Sequence, residues 1–134
     1  MGGSILIVDD HKLGADAFGA LLRMEGYVVA VAHDGNEALA LLQGGFRPDL
    51  IILDLVMPVM DGRAFRMAQR DDPEIADIPV YVFSTGAEDP IIAELGAVGG
   101  QRKPCAVPVL LADIAFHMGL PPHGRRRIEI VRDS

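Results

Sequence analysis

The sequence predicts an α/β fold in which helices cover both faces of a parallel sheet. Apolar, strand-like runs alternate with segments of helical periodicity along the body of the chain. Two of the runs contain no polar residue, a pattern typical of strands that are buried on both faces. They are Ile-Leu-Ile-Val at 5–8 and Leu-Ile-Ile-Leu at 50–53. With 134 residues, the chain fits one domain with one core.

The elements follow one another as five strand–helix pairs, which right-handed crossovers would join. The predicted strands are residues 5–8, 27–31, 50–53, 80–83 and 96–102. The first helix should carry Leu13, Ala17, Leu21 and Met24, and the second Ala38, Leu39 and Leu42. The third should carry Ala64, Phe65 and Ala68, the fourth spans 88–95, and the fifth carries Val109, Leu110, Ile114 and Met118. Gly26 and the pair Gly44-Gly45 predict the ends of the first two helices.

The fifth strand is the weakest element of the prediction. Residues 96–102 contain three glycines and one β-branched residue, a composition that disfavours a strand. The fourth helix is short, and Pro90 is tolerated because it falls in the first turn.

Composition excludes several classes of protein. The chain carries a net charge of −7, and the only cysteine is Cys105, so no intrachain disulfide can form, in keeping with a reducing cytoplasm. No apolar run approaches the roughly 18 residues that a membrane span needs, and the N-terminus does not resemble a signal peptide. Residues 121–134 have four arginines against two acids, so the rest of the chain carries −9. An acidic body disfavours nucleic acid and favours cations.

Polar side chains follow the predicted strands at the edge where parallel α/β sheets bind their ligands. Asp9 and Asp10 follow the first strand, Asp54 the third and Ser84 the fourth. Carboxylates brought together repel one another unless a cation neutralises them, and Mg²⁺ suits such oxygen ligands. An aspartate can also attack phosphorus, and Lys103 with Ser84 could then donate hydrogen bonds to phosphoryl oxygens. Asp54, on the central strand, is the best placed nucleophile.

These residues resemble the receiver domains of response regulators in two-component signalling. The resemblance covers about residues 4–120 and rests on four features in order: Asp9-Asp10, the run Asp-Leu-Val-Met-Pro-Val-Met-Asp-Gly at 54–62, the segment 79–84, and Lys103-Pro104. It implies a flavodoxin-like three-layer αβα sandwich whose five-stranded parallel sheet has the order 2-1-3-4-5.

The resemblance also implies a role for each matching residue. Asp54 would accept a phosphoryl group from a phosphohistidine on a histidine kinase or histidine phosphotransfer protein. The ligands of Mg²⁺ would be Asp10 and Asp54 directly, Asp9 through water and Val56 through its backbone carbonyl. Lys103 and Ser84 would bind phosphoryl oxygens, with Ser84 as the moving switch, and Pro104 would follow a cis peptide bond.

Three departures from the family pattern concern the output of the switch. Thr85 stands where a smaller residue is usual, which predicts narrower access to Asp54. Gly100 replaces the usual aromatic three residues before the lysine, so the usual coupling of hydroxyl to aromatic cannot operate. The interval from Ser84 to Lys103 is short, which predicts a trimmed fourth helix.

Several alternatives stand beside this prediction. Asp10 could only cap the first helix, and Asp61-Gly62 could be only a turn and helix start. The four histidines are predicted to be surface residues, and Cys105 a partly buried structural residue. The acid pocket could be vestigial, which would make the chain a phosphorylation-independent interaction module. An aspartate-based phosphohydrolase is disfavoured because Val56 stands where its general acid would be. A flavin-binding protein is disfavoured because no phosphate loop follows the first strand.

The domain prediction is therefore a receiver at 4–120 and a basic tail at 121–134. The tail contains Arg125–Arg127, and its residues 127–131 alternate well enough to add to a sheet edge. We expect a cytoplasmic protein that catalyses only its own phosphorylation and dephosphorylation. Its expected partners are a histidine kinase or histidine phosphotransfer protein and a downstream protein, and a homodimer is left open. We expect it to bind neither nucleic acid nor a membrane.

Overall fold

A computed structural model describes residues 3–119 and has the predicted alternation of strands and helices. The strands are β1 (Ser4–Val8), β2 (Val28–Ala32), β3 (Leu50–Leu53), β4 (Val80–Ser84) and β5 (Gly99–Arg102). The helices are α1 (Lys12–Met24), α2 (Gly35–Gln43), α3 (Gly62–Asp71), α4 (Asp89–Glu94) and α5 (Val107–His117). The predicted tail 121–134, with its arginines and its alternating segment, lies outside the described residues.

All five strands are parallel and lie in the predicted order β2-β1-β3-β4-β5. The central strands β1 and β3 are buried almost throughout, because helices cover both faces of the sheet. One apolar cluster packs α2, α3 and α4 against one face, and a second packs α1 and α5 against the other. The three-layer αβα sandwich is thereby confirmed. None of the helices in the described part of the chain is long and apolar enough to cross a membrane.

The buried face of α1 differs from the predicted one. Leu13 and Met24 are 83% and 82% exposed, and the buried residues are instead Ala15, Gly19 and Leu22. A Cβ at Gly19 would lie 3.0 Å from a methyl of Val31 on β2. The helix approaches the sheet so closely that small residues form the contact, and hydropathy alone does not identify such a face. The prediction for the buried face of α5 is wrong at Val109, which is 53% exposed, while Leu110 and Ile114 are buried as predicted.

Strand β5 forms in spite of its glycines, and Gly100 accounts for one of them. It pairs with Val82 of β4, and a Cβ at Gly100 would lie 2.7 Å from the Val82 carbonyl oxygen and 2.8 Å from a carbon of Ile92. No side chain fits there unless the Val82 carbonyl and the Ile92 side chain shift. The close approach of β4 and of Ile92 from α4 therefore explains why position 100 carries a glycine and not an aromatic residue.

Candidate functional site

The register between β1 and β3 brings the two buried acids side by side. Val8 and Leu53 are partners in the parallel ladder, so Asp9 and Asp54 leave the sheet at the same edge. The Asp54 N–H donates to the Val8 carbonyl at 2.9 Å. The apolar residues before each aspartate thus fix the position of a largely buried carboxylate.

Asp9, Asp10 and Asp54 form a cluster whose carboxylate oxygens lie within 4.8 Å of one another. Asp9 and Asp54 are each 7% exposed, whereas Asp10 faces solvent. Asp10 does not cap α1, because the cap is His11, whose Nδ1 accepts from the Gly14 N–H at 3.1 Å. The alternative that Asp10 is only a helix cap is therefore wrong.

Lys103 supplies positive charge to the cluster. Its Nζ lies 2.6 Å from Asp9 Oδ2 and 3.8 Å from Asp54 Oδ2. The Lys103 N–H donates to the carbonyl of Ser84 at 3.1 Å, which ties the end of β5 to the end of β4. The peptide bond from Lys103 to Pro104 is cis, as the resemblance implied. One ammonium beside three carboxylates leaves an excess of negative charge that would attract a cation.

Burial dominates the electrostatics of Asp54 and raises the pKa of its carboxyl above the ordinary value for aspartate. Three groups oppose this effect: hydrogen bonding from the Ser84 side chain, the charge of Lys103, and the N–H of Val56. The Val56 N–H donates to Asp54 Oδ1 at 3.2 Å, while Ser84 is wholly buried. The Ser84 hydroxyl, the Val56 N–H and the Lys103 ammonium thus lie around the Asp54 carboxylate.

The residues of the cluster fit Mg²⁺. The donor set consists of carboxylate oxygens that converge from two neighbouring loops, and it opens to solvent on the side of Asp10. Mg²⁺ prefers such hard oxygen ligands and retains several waters, for which the exposed side leaves access. The role predicted for the Val56 carbonyl stays a prediction; the Val56 side chain points outward and is 62% exposed.

The remaining predicted positions lie around this pocket. Asp61 caps α3 by accepting from the Ala64 N–H at 2.9 Å, so its interpretation as a helix start is confirmed. Thr85 follows Ser84 and is exposed, and its effect on access to Asp54 stays a prediction. Cys105 is half-buried, with its thiol 3.8 Å from the Gln101 side-chain oxygen.

Two features were missed by sequence reasoning. The ring of Phe83 lies under the ammonium of Lys103, with 5.2 Å from Nζ to the ring centroid. The wholly buried Tyr81 donates from its hydroxyl to Asp113 at 2.6 Å. Its ring also packs against His117, 5.5 Å away, so His117 is partly buried, whereas the sequence predicts a surface residue. Each contact joins residues about 20 to 36 positions apart, and periodicity within one element cannot reveal them.

Comparison with known proteins agrees with this geometry. The family model of the response regulator receiver domain matches residues 5–115. The polar-differentiation response regulator DivK of Brucella anthropi is 31% identical over 122 residues, which is 89% of this chain and 98% of that protein. The chemotaxis protein CheY4 of Vibrio cholerae superimposes with a TM-score of 0.78 at 32% identity, over 87% of this chain and 98% of the other.

A receiver from a larger protein is equally similar in structure. The signal receiver domain of a signal transduction histidine kinase from Syntrophus aciditrophicus has a TM-score of 0.76 at 30% identity. The match covers 96% of this chain and 98% of that one. Fold, acid cluster and relatives agree, and we conclude that this chain belongs to the response regulator receiver family of two-component signalling.

Proposed function

We propose that this receiver accepts a phosphoryl group on Asp54 from the phosphohistidine of a histidine kinase or a histidine phosphotransfer protein. The observation that carries the proposal is the position of Asp54, 7% exposed at the end of β3 with the Lys103 ammonium 3.8 Å from its carboxylate. Asp9 and Asp10 complete an acidic cluster around it. A merely structural aspartate would have no need of two further acids beside it.

The proposed step is the attack of an Asp54 carboxylate oxygen on phosphorus. A new O–P bond forms while the P–N bond to the donor imidazole breaks, and the electron pair of that bond returns to the imidazole nitrogen. The product on the receiver is an acyl phosphate. Nucleophilic attack requires the ionised carboxylate, so the burial that raises the pKa of Asp54 opposes the reaction increasingly as pH falls.

The neighbouring residues stabilise the charge on the transferred group. Lys103 moves from Asp9 toward a phosphoryl oxygen, a shift that its 26% exposed side chain permits. The hydroxyl of Ser84 donates to another oxygen, and the Val56 N–H, already at 3.2 Å from Asp54 Oδ1, lies beside them. Mg²⁺, held by Asp9, Asp10, Asp54 and the Val56 carbonyl, would neutralise negative charge that these donors leave.

The proposed output is a change in a protein-binding surface, with no catalysis beyond the chain's own phosphorylation and dephosphorylation. Gly100 leaves no aromatic on β5 to follow Ser84, and α4 packs directly on that glycine. The surface that responds to Ser84 is then the loop that leads into α4. A cytoplasmic location completes the proposal, because the phosphodonor proteins of such pathways present their histidine there.

The test is phosphorylation by a small phosphodonor such as acetyl phosphate in the presence of Mg²⁺. Intact-mass spectrometry should show one added phosphoryl group that is stable in acid and lost in base. Asp54→Asn should give no adduct. Asp61→Asn is the matched control, because asparagine is an equally good helix cap at that position, and it should be phosphorylated like the wild type.

An absent adduct on the wild type, with every variant folded, would contradict the proposal. The chain would then be a phosphorylation-independent interaction module that keeps the acid pocket without using it. An adduct that persists in Asp54→Asn would place the acceptor elsewhere.

A further inference from the structure

Lys103 has a third neighbour besides the two carboxylates, and it is an aromatic ring. Its ammonium lies 5.2 Å from the centroid of Phe83, within the distance over which a cation is attracted to the face of a ring. Asp9 holds the same ammonium at 2.6 Å. The cation is therefore attracted both by the acids at the strand ends and by the ring that forms the floor beneath it.

The ring of Phe83 is itself held in place. Successive side chains on a strand point to opposite faces, so Phe83 faces α1 while its neighbour Ser84 faces the other way. Phe18 of α1 packs against Phe83 with ring centroids 5.6 Å apart at an angle of 52°. A tilted pair of this kind is a favourable arrangement of two aromatic rings. Among residues 3–119 the cation–ring contact of Lys103 is with Phe83 and not with Phe18, so the two rings can be tested separately.

The Phe83 ring influences where the Lys103 ammonium lies between Asp9 and Asp54. The Lys103 side chain is flexible and 26% exposed, and its ammonium would gain most by staying on Asp9, 2.6 Å from the carboxylate oxygen. To stabilise the phosphoryl group on Asp54, the ammonium must lie over the Asp54 carboxylate, which is 3.8 Å from Nζ. The face of Phe83 attracts the ammonium without forming a directional hydrogen bond. It can therefore keep the cation near both acids as its hydrogen bond passes from Asp9 to a phosphoryl oxygen.

The plain alternative is that Phe83 only fills space between the sheet and α1. It belongs to the edge of the apolar cluster on that face, and a leucine would fill much of the same volume. Packing alone predicts that any loss on substitution is independent of Lys103. A role through the cation predicts that the loss depends on Lys103, and this difference separates the two interpretations.

We propose that Phe83, supported by Phe18, is a positioning residue for Lys103 in the phosphorylation of Asp54. The inference rests on the proposed function, since it assigns Phe83 to the same reaction. It also gives this receiver an aromatic contact with its pocket on the α1 face of the sheet, opposite the face on which Gly100 leaves the usual one missing.

The experiment is a double-mutant cycle between Phe83→Leu and Lys103→Met, read as the second-order rate constant for phosphorylation by acetyl phosphate with Mg²⁺. In the wild-type background Phe83→Leu should lower the rate constant about 3- to 10-fold, the range that a partly exposed cation–π contact accounts for. In the Lys103→Met background it should have no further effect. Phe83→Tyr keeps the face of the ring and should restore the rate. Phe18→Leu should lower the rate constant less than Phe83→Leu does.

A second measurement does not depend on phosphorylation. In the NMR spectrum the ε-methylene protons of Lys103 should be shielded by the ring, and Phe83→Leu should move them toward the values of an exposed lysine. An equal loss of rate with and without Lys103 would overturn the proposal. So would unchanged Lys103 shifts in a folded Phe83→Leu protein. If the wild type itself is not phosphorylated but the shifts respond as expected, the proposed function fails while the contact stands.

Discussion

Replacing Lys103 with methionine tests whether this lysine neutralises the acid cluster. Methionine has a similar length and no charge, so the change removes the ammonium with little loss of volume. The side chain of Lys103 is 26% exposed, and the side chains of Asp9 and Asp54 are each 10% exposed. Removing one partner of a buried pair costs about 3–5 kcal/mol, whereas an exposed pair contributes about 0–1 kcal/mol. For this intermediate burial we expect a loss of about 2 kcal/mol in the free energy of unfolding.

The assay is urea unfolding at neutral pH with a chelator present. The loss of about 2 kcal/mol corresponds to a drop of about 6 °C in Tm. Millimolar Mg²⁺ should then stabilise Lys103→Met more than the wild type, because a cation would replace the missing charge. Lys12→Met is the matched control: Lys12 is the other lysine of the chain and is exposed at the start of α1. Equal stability of Lys103→Met and Lys12→Met, without a difference in their response to Mg²⁺, would refute the reasoning.

Three further outcomes follow from single residues. Burial raises the pKa of Asp54 in the folded state, so its contribution to stability is complete below the unfolded pKa and is lost as pH rises through the folded one. Asp54→Asn should therefore unfold at higher urea than the wild type at pH 7 but not at about pH 3.5. Val59 has a φ of 68° and is 96% exposed, so Val59→Gly should stabilise the fold by about 0.5–1 kcal/mol in urea unfolding; a loss of stability would contradict this. Tyr81→Phe removes the hydrogen bond to Asp113 and should cost about 1–2 kcal/mol. Tyr27→Phe, at the other buried tyrosine, should cost less in the same assay.

The parts of the site that could be predicted from sequence lie directly after buried strands. The apolar runs at 5–8 and 50–53 form β1 and β3. Because these strands are parallel and Val8 pairs with Leu53, Asp9 and Asp54 lie side by side. Polar residues that directly follow neighbouring buried strands can therefore be predicted to lie close together in the folded protein. The meeting of Lys103 with both acids was expected from the resemblance rather than from its own surroundings in the sequence.

The parts that could not be predicted depend on distances between elements. Gly19 marks the buried face of α1 only because Val31 lies 3.0 Å from where its Cβ would be. Gly100 looks like a weakness in a strand until the carbonyl of Val82 is seen beside it. The contact of Phe83 with Lys103 requires the end of β5 to lie beside the end of β4, where Ser84 pairs with Arg102. Hydropathy carries no information on any of these approaches.

The central claim, that Asp54 is a phospho-acceptor, is tested most directly by beryllofluoride, which mimics a phosphoryl group on a carboxylate. Fluorine NMR of the wild-type protein with beryllofluoride and Mg²⁺ should show bound resonances. They should be absent from Asp54→Asn and absent without Mg²⁺, and Asp61→Asn should behave as the wild type does. Bound resonances that survive in Asp54→Asn, or a wild-type protein that binds none, would contradict the account.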